Sequence, residues 1–298
     1  MTQTRTKGED LFQLYLATQN LTYEFEKGYP GKSKRPDYTV NWDGRSYLFD
    51  VKDFARSDFV FEAGEVPNVY SGIREKIDQA RRKFKEYKES CCSLVVHNLG
   101  NQLVNLRDPW RMFGSMYGDY GWIAKRDPKT GEPDYTQIQN MFKDGGKMTR
   151  PGWTRPQNST ISAIITLTSV RPSYRVKRII QPPHPGKAAG REISQWRTVR
   201  PLAMKTVVPV SEIAEYEIDP TNDPFLLGVP DYEDSRATVP RVIVWHNAVA
   251  RTRFPLSLFR GPYDVHFAVA GVAQEVRPVV ISAGSKLPAW FRKSEFRR

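Results

Sequence analysis

The sequence predicts an α/β fold: a mixed sheet on a helix–three strands–helix–strand (αβββαβ) core, elaborated by a C-terminal extension. Two segments with apolar residues at helical spacing enclose a pair of β-rich runs, which meet at Asp43-Gly44. The second helical segment leads into Ser93–His97, a short apolar run typical of a buried strand.

The first helix is expected to start at Gly8-Glu9-Asp10 and to end near Asn20, because Leu11, Phe12, Tyr15 and Leu16 recur at helical spacing. Leu21–Phe25 has the composition of a short strand. Two more strands flank Asp43-Gly44, a dipeptide favoured in two-residue type I′ turns because both positions need a positive φ.

The hairpin register follows from this turn. If Asp43-Gly44 is the loop, Trp42 pairs with Arg45, and counting outward places Asp37 opposite Asp50. A loop of four residues, from Trp42 to Arg45, gives the same register, whereas a loop of three would break it.

Two aspartates opposite each other need compensation. Directly paired side chains have Cβ atoms about 4.5–5.5 Å apart, and like charges placed in this way are destabilising. Lys52 points to the same face of the strand as Asp50. A divalent cation shared by Asp37 and Asp50 would offset the repulsion better than Lys52 does.

The second helix is predicted from an apolar stripe made of Ile73, Ile77, Ala80, Phe84 and Tyr87. Its outer face is densely basic, and we expect this face to be solvated, with contact to phosphates as the alternative. The basic residues are Lys76, Arg81, Arg82, Lys83 and Lys85.

Beyond residue 100 the patterns are weaker. Leu99–Arg150 lacks a sustained period, which indicates short helices and loops. Thr160–Thr168 is a strand that we expect to join the same sheet, and Arg241–Trp245 is another strand. We therefore expect a core over residues 1–170 and an extension over residues 171–298, either separate or packed on the same domain.

Charge and composition narrow the function classes. The chain carries 45 Lys and Arg against 33 Asp and Glu, a net charge of +12, which favours a polyanionic partner, with DNA first. The two cysteines are neighbours in sequence, an arrangement in which unstrained disulfides are rare, and a structural zinc site is not expected. The sequence has no apolar run long enough to span a membrane, so we expect no membrane partner and a cytoplasmic location.

A basic segment from Arg171 to Lys205 contains a single acidic residue, Glu192, and its Pro and Gly residues predict an extended loop or arm. Its arginines would contact phosphates while Tyr174 and Trp196 stack on bases. Alternatively the arm pairs with the acidic stretch that follows, within the chain or across a homodimer. The candidate nucleic-acid-binding residues are Arg171, Arg175, Lys177, Arg178, Arg191, Arg197 and Arg200.

The hairpin residues suit phosphodiester hydrolysis. This reaction needs a metal to polarise the phosphate, an activated water and neutralisation of the developing charge. Asp37 and Asp50 would supply carboxylate ligands, the carbonyl of Val51 another, and Lys52 would orient or deprotonate the water or stabilise the charge. The competing interpretation is an edge hairpin that carries a solvated cluster of charges.

Pro36-Asp37, Asp50-Val51-Lys52 and the αβββαβ order resemble the PD-(D/E)xK nuclease superfamily, the restriction-endonuclease-like fold, over about the first hundred residues. The resemblance implies that Asp37 and Asp50 bind Mg²⁺, with Mn²⁺ as a substitute, and that Lys52 assists the nucleophile. It also implies a further ligand on the first helix, for which Glu9 and Gln13 are the candidates, and in one branch a Gln on the second helix, here Gln79.

The sequence thus predicts a Mg²⁺-dependent nuclease, with a DNA endonuclease as the first expectation. Two alternatives stay open: a nuclease that acts on RNA, and a nucleic-acid-binding or assembly protein that keeps the fold without cleaving. The absence of a Gly-x-x-x-x-Gly-Lys-Ser/Thr loop argues against an ATPase in this chain.

Overall fold

The computed structural model describes residues 5–55, 68–101, 104–150, 155–170, 173–180, 192–193, 197–199, 213–219, 239–271 and 277–284. The chain divides into two compact units. The first contains Met1–Thr168 and Pro240–Ser285, and the second contains Ser169–Val239. The predicted boundary near residue 170 is close to Thr168, where the chain leaves the first unit, but the chain returns to this unit at Pro240.

The first unit begins with α1 (Lys7–Thr18), β1 (Tyr23–Phe25), β2 (Tyr38–Trp42), β3 (Arg45–Phe54), α2 (Ser71–Lys83) and β4 (Cys91–Asn98), with a 3₁₀ turn at Phe84–Glu86. This is the predicted order of elements. It continues with α3 (Pro109–Tyr117), β5 (Gly118–Arg126), β6 (Pro133–Gly145) and β7 (Ile161–Val170). The second unit holds β8 (Ser173–Ile180), β9 (Glu192–Ile193), β10 (Arg197–Val199) and β11 (Ile213–Asp219), and the first unit ends with β12 (Val239–His246), β13 (Val265–Ala270) and β14 (Arg277–Ala283).

Eight strands form one mixed sheet in the order β1-β2-β3-β4-β7-β12-β13-β14. Strands β1, β2 and β3 are antiparallel, β3, β4 and β7 are parallel, and β12 and β13 are parallel with an antiparallel β14 at the edge. The predicted α/β class with a mixed sheet is confirmed, as is the addition of the strand near residues 160–168. Among the described residues, no helix combines the length and apolar character needed to cross a membrane.

The hairpin between β2 and β3 has the predicted register. Trp42 pairs with Arg45 and Tyr38 with Phe49. Asp43 and Gly44 have φ of 50° and 69°, as a two-residue type I′ turn requires.

The apolar core beside this hairpin lies between α1 and one face of the sheet. Helix α1 starts with a capping box in which Thr6 and Glu9 bond each other's backbone N–H groups. Phe12 is fully buried, and its ring centroid lies 5.3 Å from those of both Tyr38 and Phe49. Because side chains alternate along a strand, Asp50, next to Phe49, points to the opposite face, where α2 lies.

Two predictions on the irregular regions are wrong in part, although α3 is a short helix as expected. Residues 118–145 form a long β5–β6 hairpin, where we expected short helices and loops. Its register shifts between Gly118 and Tyr120 and between Ala124 and Lys125 interrupt the alternation that would predict a strand. The basic segment is likewise not only a loop, since β8, β9 and β10 join β11 in a separate sheet.

Candidate active site

The two aspartates lie side by side at the end of the β2–β3 hairpin. The backbone N–H of Asp37 donates to the carbonyl of Phe49 at 2.9 Å, which extends the ladder one residue beyond β2. The N–H of Val51 donates to Asp37 Oδ2 at 2.7 Å. These bonds fix the Asp37 carboxylate beside Asp50, which is fully buried. The hairpin alone therefore accounts for the position of both acids.

A lysine from α2 lies between the carboxylates. Lys83 Nζ donates to Asp50 Oδ1 at 2.6 Å and also bonds Asp37 Oδ1. Lys52 Nζ donates to the same Asp50 oxygen at 2.9 Å, and its side chain is 28% exposed. Two buried anions are thus balanced by two ammonium groups, of which Lys83 contacts both acids and Lys52 contacts one.

The surroundings shift the pKa values of the acids in opposite directions. Burial and the neighbouring Asp50 raise the pKa of Asp37 to about 6, against the opposing effect of Lys83. Burial also disfavours the charged form of Asp50, but Lys83 and Lys52 overcome this and hold its pKa below the usual range. Burial opposes the charge of Lys83 as well, yet Asp50 and Asp37 raise its pKa. The contacts between opposite charges therefore favour the charged forms of Asp50 and Lys83 in spite of their burial.

Asp50, Lys52 and Lys83 face a cavity of about 470 Å³ that is also lined by Lys34, Arg35, Gln79 and Arg82. Lys34 and Arg35 lie in the loop before Asp37, and this loop is tied to the 3₁₀ turn after α2. Glu86 accepts bonds from the N–H and the hydroxyl of Ser33 at 2.8 and 2.6 Å. The cavity is thus lined by basic side chains around buried Asp50.

The candidate ligands on α1 lie elsewhere. The Glu9 carboxylate accepts a bond from the N–H of Thr6 at 2.7 Å, as part of the helix cap, and Gln13 accepts one from Arg5. Among the described residues, no group of three or more His, Cys, Asp or Glu side chains is placed to hold a metal ion. The structure therefore does not bring Glu9 or Gln13 to the aspartate pair.

Two other predicted residues lie at the site. Gln79 lines the cavity, although its side-chain amide donates to Glu75 at 2.9 Å. Val51 contributes its N–H to Asp37, while its side chain is buried in the core on the α1 face. The proposed use of the Val51 carbonyl as a ligand stays a prediction.

The basic segment gives a different result. Of the candidate residues, Arg171, Arg191 and Arg200 lie outside the described residues, and only the backbone is described for Arg175, Lys177, Arg178 and Arg197. Strand β8 pairs with the acidic strand β11 in a register that sets Arg178 opposite Glu215 and Arg175 opposite Glu217. This arrangement favours the alternative in which basic and acidic segments pair within the chain.

Lys83 is the residue that the sequence interpretation missed. We expected it on the solvated face of α2, but its side chain is only 19% exposed and bonds both aspartates. A signal was present: Lys83 follows Gln79 by four residues, so the two share one face of the helix. Sequence spacing shows that shared face but not which part of the sheet it covers.

The donor set suits a small hard cation. Mg²⁺ is commonly held by one or two carboxylates, water and substrate phosphate. Asp50 Oδ2 is buried without a hydrogen-bond partner in the described part of the chain, so it has an acceptor to offer. Asp37 and Asp50 therefore fit a divalent ion, although the Lys83 ammonium lies on the same oxygens. No protein-family model, curated protein or solved structure matches this chain.

Proposed function

We propose that the protein is a Mg²⁺-dependent nuclease, with DNA as the preferred substrate and an endonucleolytic mode. One observation carries the proposal: buried Asp37 and Asp50 lie side by side, and Asp50 and Lys52 line a cavity whose other lining side chains are mostly basic. A metal-dependent nuclease needs carboxylates to hold the ion and nearby positive charge to bind the phosphodiester, and this arrangement of acids and basic side chains suits both tasks.

Asp37 and Asp50 would hold the ion, with Mn²⁺ as a substitute for Mg²⁺. When bound, the ion supplies the charge that polarises a phosphate oxygen. The two aspartates are well placed for this because backbone bonds from Val51 and to Phe49 fix the first of them, and burial fixes the second. Their positions need no rearrangement of the sheet.

Lys52 is the residue best placed to act on the reacting groups. Its ammonium is held by Asp50 at 2.9 Å, yet the side chain is more exposed than that of Lys83, at 28% against 19%. From this position it can donate to the attacking water or to a phosphate oxygen as negative charge develops. Hydrogen bonding to Asp50 keeps the ammonium oriented while it does so.

Substrate binding would rely on the rim of the cavity. Lys34, Arg35 and Arg82 are exposed and line the same cavity as Asp50. Contacts of this kind with phosphates fix the position of a nucleic acid without reading its sequence. The rim thus supports a nucleic-acid substrate more directly than β8, whose arginines lie opposite acidic residues.

The proposal is tested by incubating the full chain with supercoiled plasmid, linear duplex DNA and RNA in Mg²⁺, in Mn²⁺ and in EDTA. We expect nicking or linearisation of the plasmid with either metal and none with EDTA. Cleavage of RNA alone would transfer the proposal to RNA. Absence of cleavage in every metal condition, for a chain shown to be folded, would refute the nuclease proposal.

A second candidate function is favoured by Lys83. A protein that binds nucleic acid without cleaving it could use this lysine as a permanent counter-charge for the two aspartates, and the described residues offer no third acidic ligand. Binding that is independent of divalent metal, together with no cleavage, would identify this function in the same set of reactions.

A further inference from the structure

The Lys83 ammonium lies where a cation shared by Asp37 and Asp50 would lie. It is within hydrogen-bond distance of both carboxylates, at 2.6 Å from Asp50 Oδ1. Lys52 is different, because it contacts Asp50 alone and from the more exposed side. A divalent ion that binds both carboxylates would therefore compete with Lys83 for this position.

The net charge of the cluster limits which cations can be bound there together. With two carboxylates and two ammonium groups, the buried cluster is neutral. Adding a divalent ion while both lysines stay would give the cluster two excess positive charges. Like charges at such short distances, partly shielded from water, are strongly unfavourable. At least one ammonium group has to leave, and Lys83 is the one whose nitrogen bonds both carboxylates.

We propose that Lys83 is an internal cation: it holds the Asp37–Asp50 pair together in the metal-free chain and is displaced when a divalent ion binds. The inference rests on the proposed function, since it takes the aspartate pair to be a metal site. Displacement needs only side-chain rotation, because lysine has a flexible four-carbon stem and Lys83 is the last residue of α2. The released ammonium stays in the cationic cavity, within reach of a bound phosphate.

The consequence is a competition that can be measured. The metal binds only by replacing an existing ion pair, so its apparent affinity in the wild-type chain is its intrinsic affinity multiplied by the fraction of time that the pair is free of Lys83. Removing the ammonium should therefore tighten metal binding. In the metal-free chain it should also leave two adjacent buried carboxylates without their main counter-charge.

The test is calorimetric titration of the full chain with Mn²⁺ and with Mg²⁺, comparing wild type, Lys83→Met and Lys88→Met. Lys88 is an exposed lysine just beyond α2 and is the matched control. We expect Lys83→Met to bind Mn²⁺ about tenfold more tightly or better, which corresponds to Lys83 occupying the pair for about nine-tenths of the time or more in wild type, and Lys88→Met to resemble wild type. Unchanged or weaker binding by folded Lys83→Met overturns the proposal, as does the absence of metal binding in both chains.

Thermal unfolding gives a second readout. In EDTA, Lys83→Met should unfold at a lower temperature than wild type, and saturating Mn²⁺ should raise its unfolding temperature by more than that of wild type. If Lys83→Met folds only with metal, the displacement proposal is supported directly. If it fails to fold in any condition, Lys83→Gln, which keeps a hydrogen-bond donor without the charge, takes its place with the same expected result.

The result is independent of cleavage. If Lys83→Met binds metal more tightly than wild type, and wild type cleaves no nucleic acid, the displacement of Lys83 is supported and the nuclease function is refuted. If wild type shows metal-dependent cleavage, and Lys83→Met has the same metal affinity as wild type, the nuclease function is supported and the displacement of Lys83 is refuted.

Discussion

Two hydrogen-bonded histidines in the core should make the folded state sensitive to acid. His246 Nε2 lies 2.9 Å from His266 Nδ1, and His266 Nε2 lies 2.8 Å from the carbonyl oxygen of Phe259. A carbonyl only accepts, so His266 carries its proton on Nε2 and accepts on Nδ1, and His246 must donate from Nε2. Protonating His266 would set two N–H groups against each other.

Burial lowers both pKa values. That of His246 falls to about 3, with the neighbouring His266 adding to the effect of burial, and that of His266 falls to about 4. In the unfolded chain both lie near 6.5. The unfolded state therefore binds protons first, so stability is complete above about pH 7 and is lost as the pH falls from 6.5 towards 4.

The size of the effect follows from linkage. At pH 5 each histidine is protonated in the unfolded chain and almost neutral in the folded chain. This difference lowers the free energy of unfolding by about 2 kcal/mol per histidine relative to pH 7. Together the pair should lower the free energy of unfolding by about 4 kcal/mol between pH 7 and pH 5.

The assay is urea unfolding at pH 7 and pH 5 for wild type and His246→Gln. The Gln amide can still donate to His266 but does not titrate. We expect the variant to lose about 2 kcal/mol less stability than wild type over this interval. An identical pH dependence in the two proteins would refute the assignment of neutral, hydrogen-bonded histidines.

Two further tests separate structural from functional residues. Glu9→Ala removes one half of the capping box and should cost roughly 0.3–1.5 kcal/mol of stability. It should leave the Mn²⁺ affinity measured by calorimetry unchanged; loss of metal binding would instead make Glu9 a ligand. Reversing the charge of Arg35 and Arg82 should weaken DNA binding and reduce the salt dependence of the binding constant by about one unit of slope per lost phosphate contact. Reversing the charge of Arg175 and Arg178, which lie opposite Glu217 and Glu215 in the strand register, should change the DNA affinity and its salt dependence less. Both are measured by fluorescence anisotropy at several salt concentrations. Equal effects of the two pairs of substitutions would indicate that β8 is a DNA-binding surface.

The parts of the site that the sequence predicts are those set by local geometry. The turn at Asp43-Gly44 determines the register of its own hairpin, and this register brings Asp37 to Asp50, thirteen residues away along the chain. Lys52 follows by alternation on the same strand. Such relations need no knowledge of how distant elements pack.

Lys83 could not be placed in this way. Its contacts with Asp37 and Asp50 span 46 and 33 residues, so they depend on how α2 settles on the sheet. On a helix with this many charged residues, spacing alone does not show that the Lys83 ammonium turns towards the aspartates. The β5–β6 hairpin was missed for another reason, since its register shifts remove the regular alternation.

The pairing of β8 with β11 is also beyond local reasoning. The sequence shows a basic segment followed by an acidic one, and it leaves open whether they meet each other or separate partners. The register that sets Arg178 opposite Glu215 comes from tertiary structure. It makes the cationic cavity, rather than the basic segment, the first surface to examine for nucleic-acid binding.

Plasmid cleavage by site variants tests the nuclease proposal most directly. The measurement is the rate of plasmid nicking in Mg²⁺ by wild type, Asp50→Asn, Lys52→Ala and Lys88→Ala, with circular dichroism to confirm that each chain is folded. We expect Asp50→Asn and Lys52→Ala each to lower the rate at least about a hundredfold, the usual size of losing one group that acts in the transition state, and Lys88→Ala to match wild type. Undiminished cleavage by folded Lys52→Ala or Asp50→Asn would contradict the assignment of this site as the catalytic centre.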